Sequence, residues 1–282
     1  MPRGEPNGTR RLLLRVYRRL RARYGHAGWW PGESSFEVCV GAILVQNTAW
    51  ANVERTLASL RRRGLLSFAP LHRRSPSRLA PLLRSSGTFR VKARRLRAFL
   101  DFLGSEYGGR AEAMAAEDPA RLREKLLSVA GIGPETADSI ALYAAGHPVF
   151  VVDAYARRVF SRLGLLPGQV PAGRARPTFS GSRGDRTRGD GTRGDGTRGD
   201  GTRGDGTRGA RPEAYNQVQH VLTGHLPRDA ALYNDYHAQL VRLGQEACRP
   251  RPRCAECPLD DLCPKHGLLS SRVPTRVERG SP

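Results

Sequence analysis

Lysine is scarce in this sequence, and long apolar runs are absent. The chain has 282 residues, of which 47 are Lys or Arg, but the only lysines are Lys92, Lys125 and Lys265. A reaction that uses a side-chain amine as nucleophile therefore has three candidates. No stretch of about 18 apolar residues occurs, so we expect no membrane-spanning helix. The apolar run near residue 12 is also too short for a signal peptide.

Cysteine is scarce as well, yet four of the five cysteines lie close together near the C-terminal end. The spacing is C-x5-C-x2-C-x5-C, formed by Cys248, Cys254, Cys257 and Cys263. Such spacing is typical of thiolates that surround one metal centre, and it leaves both zinc and an iron–sulfur cluster open. Two disulfides are the alternative, but no secretion signal supports them. We interpret the centre as structural, because cysteine would fill all four ligand positions.

Positive charge dominates the composition, with a formal net charge of +21. Residues 171–211 hold ten Arg and five Asp, which leaves +16 on the rest of the chain. A surface this basic favours a polyanionic partner, with nucleic acid ahead of an anionic membrane.

One internal segment has almost no apolar residues. It contains the pentamer Gly-Asp-Gly-Thr-Arg four times over 189–208, after a degenerate copy at 184–188. Such a segment cannot form a core, so we predict a disordered repeat insertion over 174–211. We also expect the polar tail at 267–282 to be flexible.

Helical periodicity on both sides of this insertion predicts a series of helices. The predicted helices are 11–24, 35–45, 53–60, 91–107, 122–129, 155–163, 215–224 and 232–246, with two short helices inside 65–84. His237 lies on one face of the last helix, where we interpret it as a hydrogen-bonded structural histidine rather than a ligand.

The stretch 127–153 combines a helix, a glycine hairpin, a second helix and an acid. Gly131 and Gly133 flank Ile132, so this turn can adopt positive φ and present bare amides to an anion. Asp153 follows a buried apolar run and can cap the next helix. An ordinary helical hairpin followed by a capped helix is the alternative interpretation.

Two further stretches carry candidate binding residues. The turn 28–32 holds two indoles, which either cover a core edge or offer a flat wall to a base. The polar Gln46-Asn47-Thr48 patch could fill the space that a base leaves, or it could cap the helix that follows Trp50.

The hairpin 129–133, Thr136 and Asp153 together resemble the helix-hairpin-helix DNA glycosylases that include endonuclease III. The resemblance implies that the hairpin, with Gly131, Ile132, Gly133 and Thr136, binds a DNA phosphate. It implies that Asp153 is catalytic.

One branch of that family, which removes 3-methyladenine, is similar over further residues. By that similarity Trp30, Pro31 and Trp50 enclose a flipped base. Gln46, with Asn47 beside it, fills the duplex near the lesion. A second stretch, with Ser86, Gly87 and Lys92, also resembles the branch, and we expect it to contact DNA.

The resemblance also implies a domain arrangement and a cofactor. It predicts a two-domain, all-α helix-hairpin-helix glycosylase fold, with a bundle at 34–148 and a second domain formed by 1–33, 149–173 and 212–266. It favours a 4Fe–4S cluster over zinc at the four cysteines. The base pocket would lie in the cleft between the domains.

The implied reaction is hydrolysis of the N-glycosidic bond of a damaged base in double-stranded DNA, with an alkylated purine such as 3-methyladenine as substrate. Glu135 occupies the position at which endonuclease III carries a nucleophilic lysine, so we predict no lyase activity. The alternatives are a bifunctional glycosylase/lyase acting on oxidised pyrimidines and a non-catalytic DNA-binding module. We expect a monomer in the cytoplasm of a bacterium or archaeon, associated with the nucleoid.

Overall fold

The computed structural model describes residues 6–28, 30, 32–166, 212–266 and 268, and over these residues the chain is helical, without a strand. The α-helices are α1 Pro6–Tyr24, α2 Ser35–Leu44, α3 Trp50–Arg62, α4 Phe68–His72, α5 Pro76–Leu79, α6 Phe89–Tyr107, α7 Pro119–Ser128, α8 Pro134–Ser139, α9 Ala154–Arg162, α10 Pro212–His225 and α11 Ala230–Glu246. Short 3-10 segments lie at Ala80–Ser86, Ala111–Ala116 and Cys254–Glu256. One π-helical turn spans Ile140–Ala144.

The predicted all-α class is confirmed over the described residues. The predicted helix starts differ from the observed ones for α1, α3, α7 and α10, which begin at least three residues earlier, at Pro6, Trp50, Pro119 and Pro212. The second hairpin helix also changes into the π-helical turn. The repeat insertion, Pro31 and nearly all of the tail lie outside the described residues. No described helix is both long and apolar enough to cross a membrane.

The apolar side chains pack into two cores. The first core is built mainly from α2, α3, α6 and the 3-10 segments between them. The second is built from α1, α9, α10 and α11. The predicted domain boundaries stay a prediction.

Sequence periodicity explains how α1 joins the second core. Leu13, Val16 and Leu20 recur on one face and are fully buried. The arginines occupy other faces of the same helix, where they remain at least partly exposed. The helix is also fastened to α11, because the hydroxyl of Tyr17 donates to Asp235 over 2.7 Å. This anchor holds the chain that leads towards Trp30, since Asp235 also accepts from the backbone N–H of Ala27.

The π-helical turn lies between the two cores. Leu142 packs in the second core, whereas Ile140 and Ala141 pack in the first. Tyr143 is partly buried and contacts both cores. Residues on this turn are therefore positioned to line any cleft where the two cores meet.

A buried carboxylate fixes α8 to its neighbours. Asp138 accepts from Nε of Arg123 on α7 and from Nε2 of Gln219 on α10, each over 2.7 Å. Burial raises the pKa of Asp138, and the ion pair with Arg123 opposes that rise. The hairpin helix is thereby held against α10, the first helix after the undescribed segment.

Candidate active site

Asp153 lies immediately before α9, and each of its two carboxylate oxygens has a polar neighbour. Oδ1 accepts from the backbone N–H of Ala156 over 2.7 Å, which makes Asp153 the N-cap that its sequence position predicted. Oδ2 lies 3.5 Å from Nε2 of His237. The Asp153 side chain is 13% exposed, so the carboxylate is largely desolvated but can still be reached from solvent.

The electrostatic surroundings favour the ionised form of Asp153. Burial acts to raise its pKa, but the charge and hydrogen-bonding of His237 and the backbone N–H groups of Ala156 and Tyr155 outweigh that effect, so the pKa is lowered. A carboxylate that is desolvated and still ionised can stabilise positive charge that develops nearby.

His237 and Tyr143 form a chain of contacts that ends at Asp153. The hydroxyl of Tyr143 is hydrogen-bonded to Nδ1 of His237, on the ring edge opposite to Asp153. Both rings are packed among apolar neighbours, and burial raises the pKa of Tyr143 well above its usual value. Sequence reasoning treated His237 as structural and gave Tyr143 no role in the site. The two residues are 94 positions apart, and neither belongs to a recognisable motif.

Glu135 is a second carboxyl group near Asp153. It lies in the first turn of α8, where its side chain keeps solvent-exposed surface while the surrounding protein partly desolvates its carboxyl group. Desolvation and the negative charge of Asp153 raise the pKa of Glu135 to about 7, against the opposing charges of Arg157 and His237. The site thus pairs one ionised carboxylate with one carboxyl that is readily protonated.

Three aromatic rings form a chain of contacts that ends at His237, the neighbour of Asp153. Trp30 and Trp50 meet edge to face, with centroids 5.0 Å apart and planes at 86°. Trp30 also contacts Tyr143 at 5.2 Å. Gly41 allows this packing, because a Cβ there would lie 3.2 Å from Nε1 of Trp30. In this arrangement the two indoles touch, so a base could enter between them only after one ring turns.

Only one of the two glycines in the hairpin between α7 and α8 has the predicted positive φ. Gly131 has φ of 87°, and a Cβ at that position would overlap the side chain of Arg95. Gly133 is extended, with φ of −97°, and a Cβ there would meet open space. Ile132 is buried in the first core, as expected for a residue that joins the two helices.

Gln46 is bound to this hairpin rather than free. Its Nε2 donates to the carbonyl of Gly131 over 3.1 Å and to Oγ1 of Thr136 over 2.9 Å. Its Oε1 accepts from Arg95 over 2.6 Å. Asn47 is exposed and has φ of 55°, a left-handed conformation that asparagine tolerates well.

The second predicted DNA-binding stretch is corrected by the structure. Lys92 is 1% exposed, and its Nζ donates to the carbonyls of Leu44, over 2.8 Å, and of Ser86. Burial lowers the pKa of Lys92 to about 8. The Ser86 side chain is also buried, and its hydroxyl donates to the carbonyl of Leu83. Lys92 and Ser86 therefore brace the end of α2 and cannot reach a phosphate, whereas Gly87 is exposed.

The four cysteines of the C-terminal loop line one cavity, together with Arg162 and Lys265. Nη1 of Arg162 donates to Sγ of Cys248 over 3.1 Å, and Sγ of Cys263 donates to the Arg162 carbonyl over 3.4 Å. Burial and the neighbouring thiols raise the pKa of Cys257 to about 11. Among the described residues, no group of three or more His, Cys, Asp or Glu is arranged to hold a single metal ion.

Residues 40–179, which include the hairpin and Asp153, match the family described as "HhH-GPD superfamily base excision DNA repair protein". The "Putative DNA repair glycosylase MJ1434" of Methanocaldococcus jannaschii is 33% identical over 253 residues, which cover 89% of this chain and 96% of the relative. Endonuclease III of Thermotoga maritima is 24% identical over 229 residues, which cover 81% of this chain and 82% of that protein.

Two solved structures share the fold. A non-covalent endonuclease III–DNA complex superposes with a TM-score of 0.63 at 20% identity, covering 91% of this chain and 95% of that one. The 3-methyladenine DNA glycosylase MagIII of H. pylori, bound to 1,N6-ethenoadenine, gives a TM-score of 0.59 at 22% identity, covering 83% and 97%. Because identity to the M. jannaschii relative extends over nearly its whole length, the chain belongs to the HhH-GPD superfamily of base excision DNA repair proteins.

Proposed function

We propose that the protein is a monofunctional DNA glycosylase that hydrolyses the N-glycosidic bond of an alkylated purine, such as 3-methyladenine, in double-stranded DNA. The observation that carries this proposal is the buried carboxylate of Asp153, which interacts with a second carboxyl group at Glu135. His237 and Tyr143 connect Asp153 to the two indoles through a chain of contacts. Among the described residues, Glu135 occupies the position at which the resemblance to endonuclease III would place a nucleophilic lysine.

The lysines support the absence of lyase chemistry. Lys92 is buried against backbone carbonyls. Lys125 is paired with Glu106 and Glu117, and Lys265 is paired with Asp260. Imine formation needs an unprotonated amine at the sugar. Since these three are all the lysines of the chain and each is bound elsewhere, hydrolysis by an activated water is the better account.

In this mechanism Asp153 acts on the sugar. A base inside a duplex cannot be reached, so the nucleotide must rotate out of the stack into a pocket. As the glycosidic bond breaks, positive charge develops on the sugar, and the Asp153 carboxylate stabilises it and orients water. An alkylated purine already carries positive charge, so it leaves readily without a strong general acid.

The aromatic rings supply the preference for a cationic base. The faces of Trp30 and Trp50 attract positive charge, and the same interaction would discriminate an alkylated purine from a neutral one. The H. pylori relative is itself a 3-methyladenine glycosylase. One indole has to turn for the base to enter, and Pro31, the third predicted pocket residue, lies outside the described residues.

The hairpin and its neighbours would contact the duplex. Gly133 leaves room for a phosphate to approach the backbone closely, and Ile132 and Thr136 hold the turn in place. Gln46 would fill the space of the flipped base after leaving its bonds to the hairpin, with exposed Asn47 beside it. Gly87 adds a second exposed backbone position.

The cysteine loop is the proposed site of a 4Fe–4S cluster. Cys248, Cys254, Cys257 and Cys263 line one cavity, which supports this assignment because cysteine thiolates are the usual ligands of such clusters. Arg162 and Lys265 add compensating charge at its wall. Zinc is the alternative occupant. The cluster would stabilise the loop and take no part in hydrolysis.

A panel of duplexes, each with one defined lesion, tests the function. We expect the protein to release an alkylated purine and leave alkali-sensitive abasic sites, without strand nicks before alkali. Borohydride should trap no covalent adduct, because it reduces only an imine. Trapping that is abolished by Lys125→Met would contradict the monofunctional assignment, and release of oxidised pyrimidines alone would contradict the substrate.

A further inference from the structure

The imidazole of His237 is held at both ring nitrogens by different elements. Nδ1 is hydrogen-bonded to Tyr143 on the π-helical turn, whereas Nε2 points towards Oδ2 of Asp153 at the start of α9. Nε2 is buried and has no hydrogen-bond partner among the described residues. At 3.5 Å its contact with Asp153 is electrostatic, at the edge of hydrogen-bond range. A shift of a few tenths of an ångström would complete that bond.

The two neighbours of the imidazole favour a hydrogen on Nε2. Because the pKa of Tyr143 is raised well above its usual value, the phenol keeps its hydrogen and can donate it to Nδ1. The Asp153 carboxylate near Nε2 favours an N–H on that nitrogen, so the neutral ring is best satisfied with its hydrogen on Nε2. In the charged imidazole both nitrogens carry hydrogen, and the phenol oxygen accepts. In either state an N–H on Nε2 faces Asp153.

We propose that Tyr143 and His237 form a positioning pair that fixes the Asp153 carboxylate in its catalytic orientation by presenting an N–H to Oδ2 in both protonation states of the ring. The proposal rests on the proposed catalytic role of Asp153. A neutral ring with its hydrogen on Nε2 orients the carboxylate without cancelling its charge, which is what stabilisation of a cationic sugar requires. The pair also touches the aromatic pocket, because Trp30 contacts Tyr143 at 5.2 Å.

Other ionisable groups lie near this pair, and their effects have to be distinguished from the effect of the pair itself. Glu135, on α8, interacts electrostatically with both Asp153 and His237. Arg157, on α9, also acts electrostatically on Glu135. The effect of the pair must therefore be measured with Glu135 present and with Glu135→Gln.

Two substitutions of His237 distinguish its two nitrogens. In His237→Gln the side-chain amide N lies near the former Nε2 and can still donate to Asp153. In His237→Asn the amide lies near the former Nδ1 and cannot. With lesion-DNA affinity unchanged, we expect single-turnover excision to stay within about tenfold of wild type for Gln and to fall about a hundredfold for Asn, the range of one hydrogen bond to a charged group. Equal rates in the two variants, whether high or low, would overturn the proposal.

Tyr143→Phe tests the pair without a change in size and serves if a His237 variant does not fold. Without the phenol, the neutral ring can place its hydrogen on Nδ1 and leave Nε2 bare. We expect single-turnover excision by Tyr143→Phe to fall about tenfold while lesion-DNA affinity is unchanged. The loss should persist when both proteins carry Glu135→Gln. Excision by Tyr143→Phe at the wild-type rate would reject the pair.

The same measurements separate this proposal from the proposed function. If wild type releases no base, the proposed function itself fails, and if Asp153→Asn excises at the wild-type rate, the catalytic role of Asp153 fails. If wild type is active, Asp153→Asn is inactive, and His237→Gln and His237→Asn excise at equal rates, only the positioning pair fails.

Discussion

The side-chain amide of Gln46 donates to the hydroxyl of Thr136 over 2.9 Å, so the loop after α2 is tied directly to the helix-hairpin-helix. The same amide reaches the Gly131 carbonyl, and Arg95 closes over both residues. The residue predicted to enter the duplex and the turn predicted to bind a phosphate therefore form one hydrogen-bonded unit. Movement of Gln46 into DNA would have to release the hairpin carbonyl at the same time.

The two hairpin glycines should respond differently to alanine. At Gly131 the backbone is left-handed and a Cβ overlaps Arg95, so Gly131→Ala should lower the free energy of unfolding by at least about 1 kcal/mol. Gly133→Ala is the matched control, because its φ of −97° suits alanine and the Cβ meets open space. Thermal melts measure both effects.

If a phosphate approaches Gly133, the alanine substitution that leaves stability unchanged should be the one that weakens DNA binding. We expect Gly133→Ala to keep the wild-type Tm and to weaken binding to an undamaged duplex. Unchanged binding by a stable Gly133→Ala protein would show that the phosphate does not approach this residue.

Glu135 should make stability depend on pH. Its pKa is raised to about 7 in the fold, above the value of 4.5 expected when it is solvated. The folded state therefore holds this proton more tightly, and the stabilisation is lost as pH rises through the range between these values. Glu135→Gln should have a Tm close to wild type near pH 4.5 and a higher Tm than wild type near pH 8.

Glu124→Gln, on the exposed surface of α7, provides the control for the loss of one negative charge. It should shift Tm little, and by the same amount at both pH values. If Glu135→Gln behaved in the same way as Glu124→Gln, the carboxyl of Glu135 would be solvated and uncoupled from Asp153.

The helix-hairpin-helix and the cap at Asp153 could be predicted because glycine conformation and capping are local properties of sequence. The burial of Lys92 also left a signal that the prediction missed. Lys92, Leu96 and Leu103 share the buried face of α6, which marks Lys92 as a core position rather than a surface charge.

The arrangement of the rings could not be predicted in the same way. Whether Trp30 and Trp50 stand parallel or edge to face depends on side-chain rotamers that the packing against Gly41 and Tyr143 decides. The contact of His237 with Asp153 joins α11 to α9 across the predicted repeat insertion, so no sequence window contains both residues.

The cysteine loop predicts a visible cofactor. We expect purified protein to be yellow-brown, to absorb near about 400 nm and to hold about four iron atoms per chain. Cys257→Ser should lose iron and the soluble fold together, because ligation energy is also folding energy. Cys39→Ala, a buried cysteine of α2 in the first core, should keep its iron. One equivalent of zinc per chain, without visible absorption, would show that the loop holds zinc instead of the cluster.

Asp153→Asn separates catalysis from capping. Asparagine keeps an oxygen that can accept from the Ala156 N–H, so α9 and the fold should be retained. It removes a negative charge near the DNA polyanion, so affinity for lesion DNA should be unchanged or tighter. Excision should fall by at least about a hundredfold, the scale for loss of one preorganised electrostatic partner.

Asp229→Asn is the matched control for this change, because Asp229 also caps a helix, α11, through a carboxylate that accepts two backbone N–H groups, but it is exposed. Both variants exchange a capping carboxylate for an amide, and only Asp153 faces His237 and Glu135. We expect Asp229→Asn to excise at the wild-type rate. If Asp153→Asn and Asp229→Asn retained the same activity, Asp153 would be a helix cap and nothing more, and the reacting carboxyl would have to be Glu135.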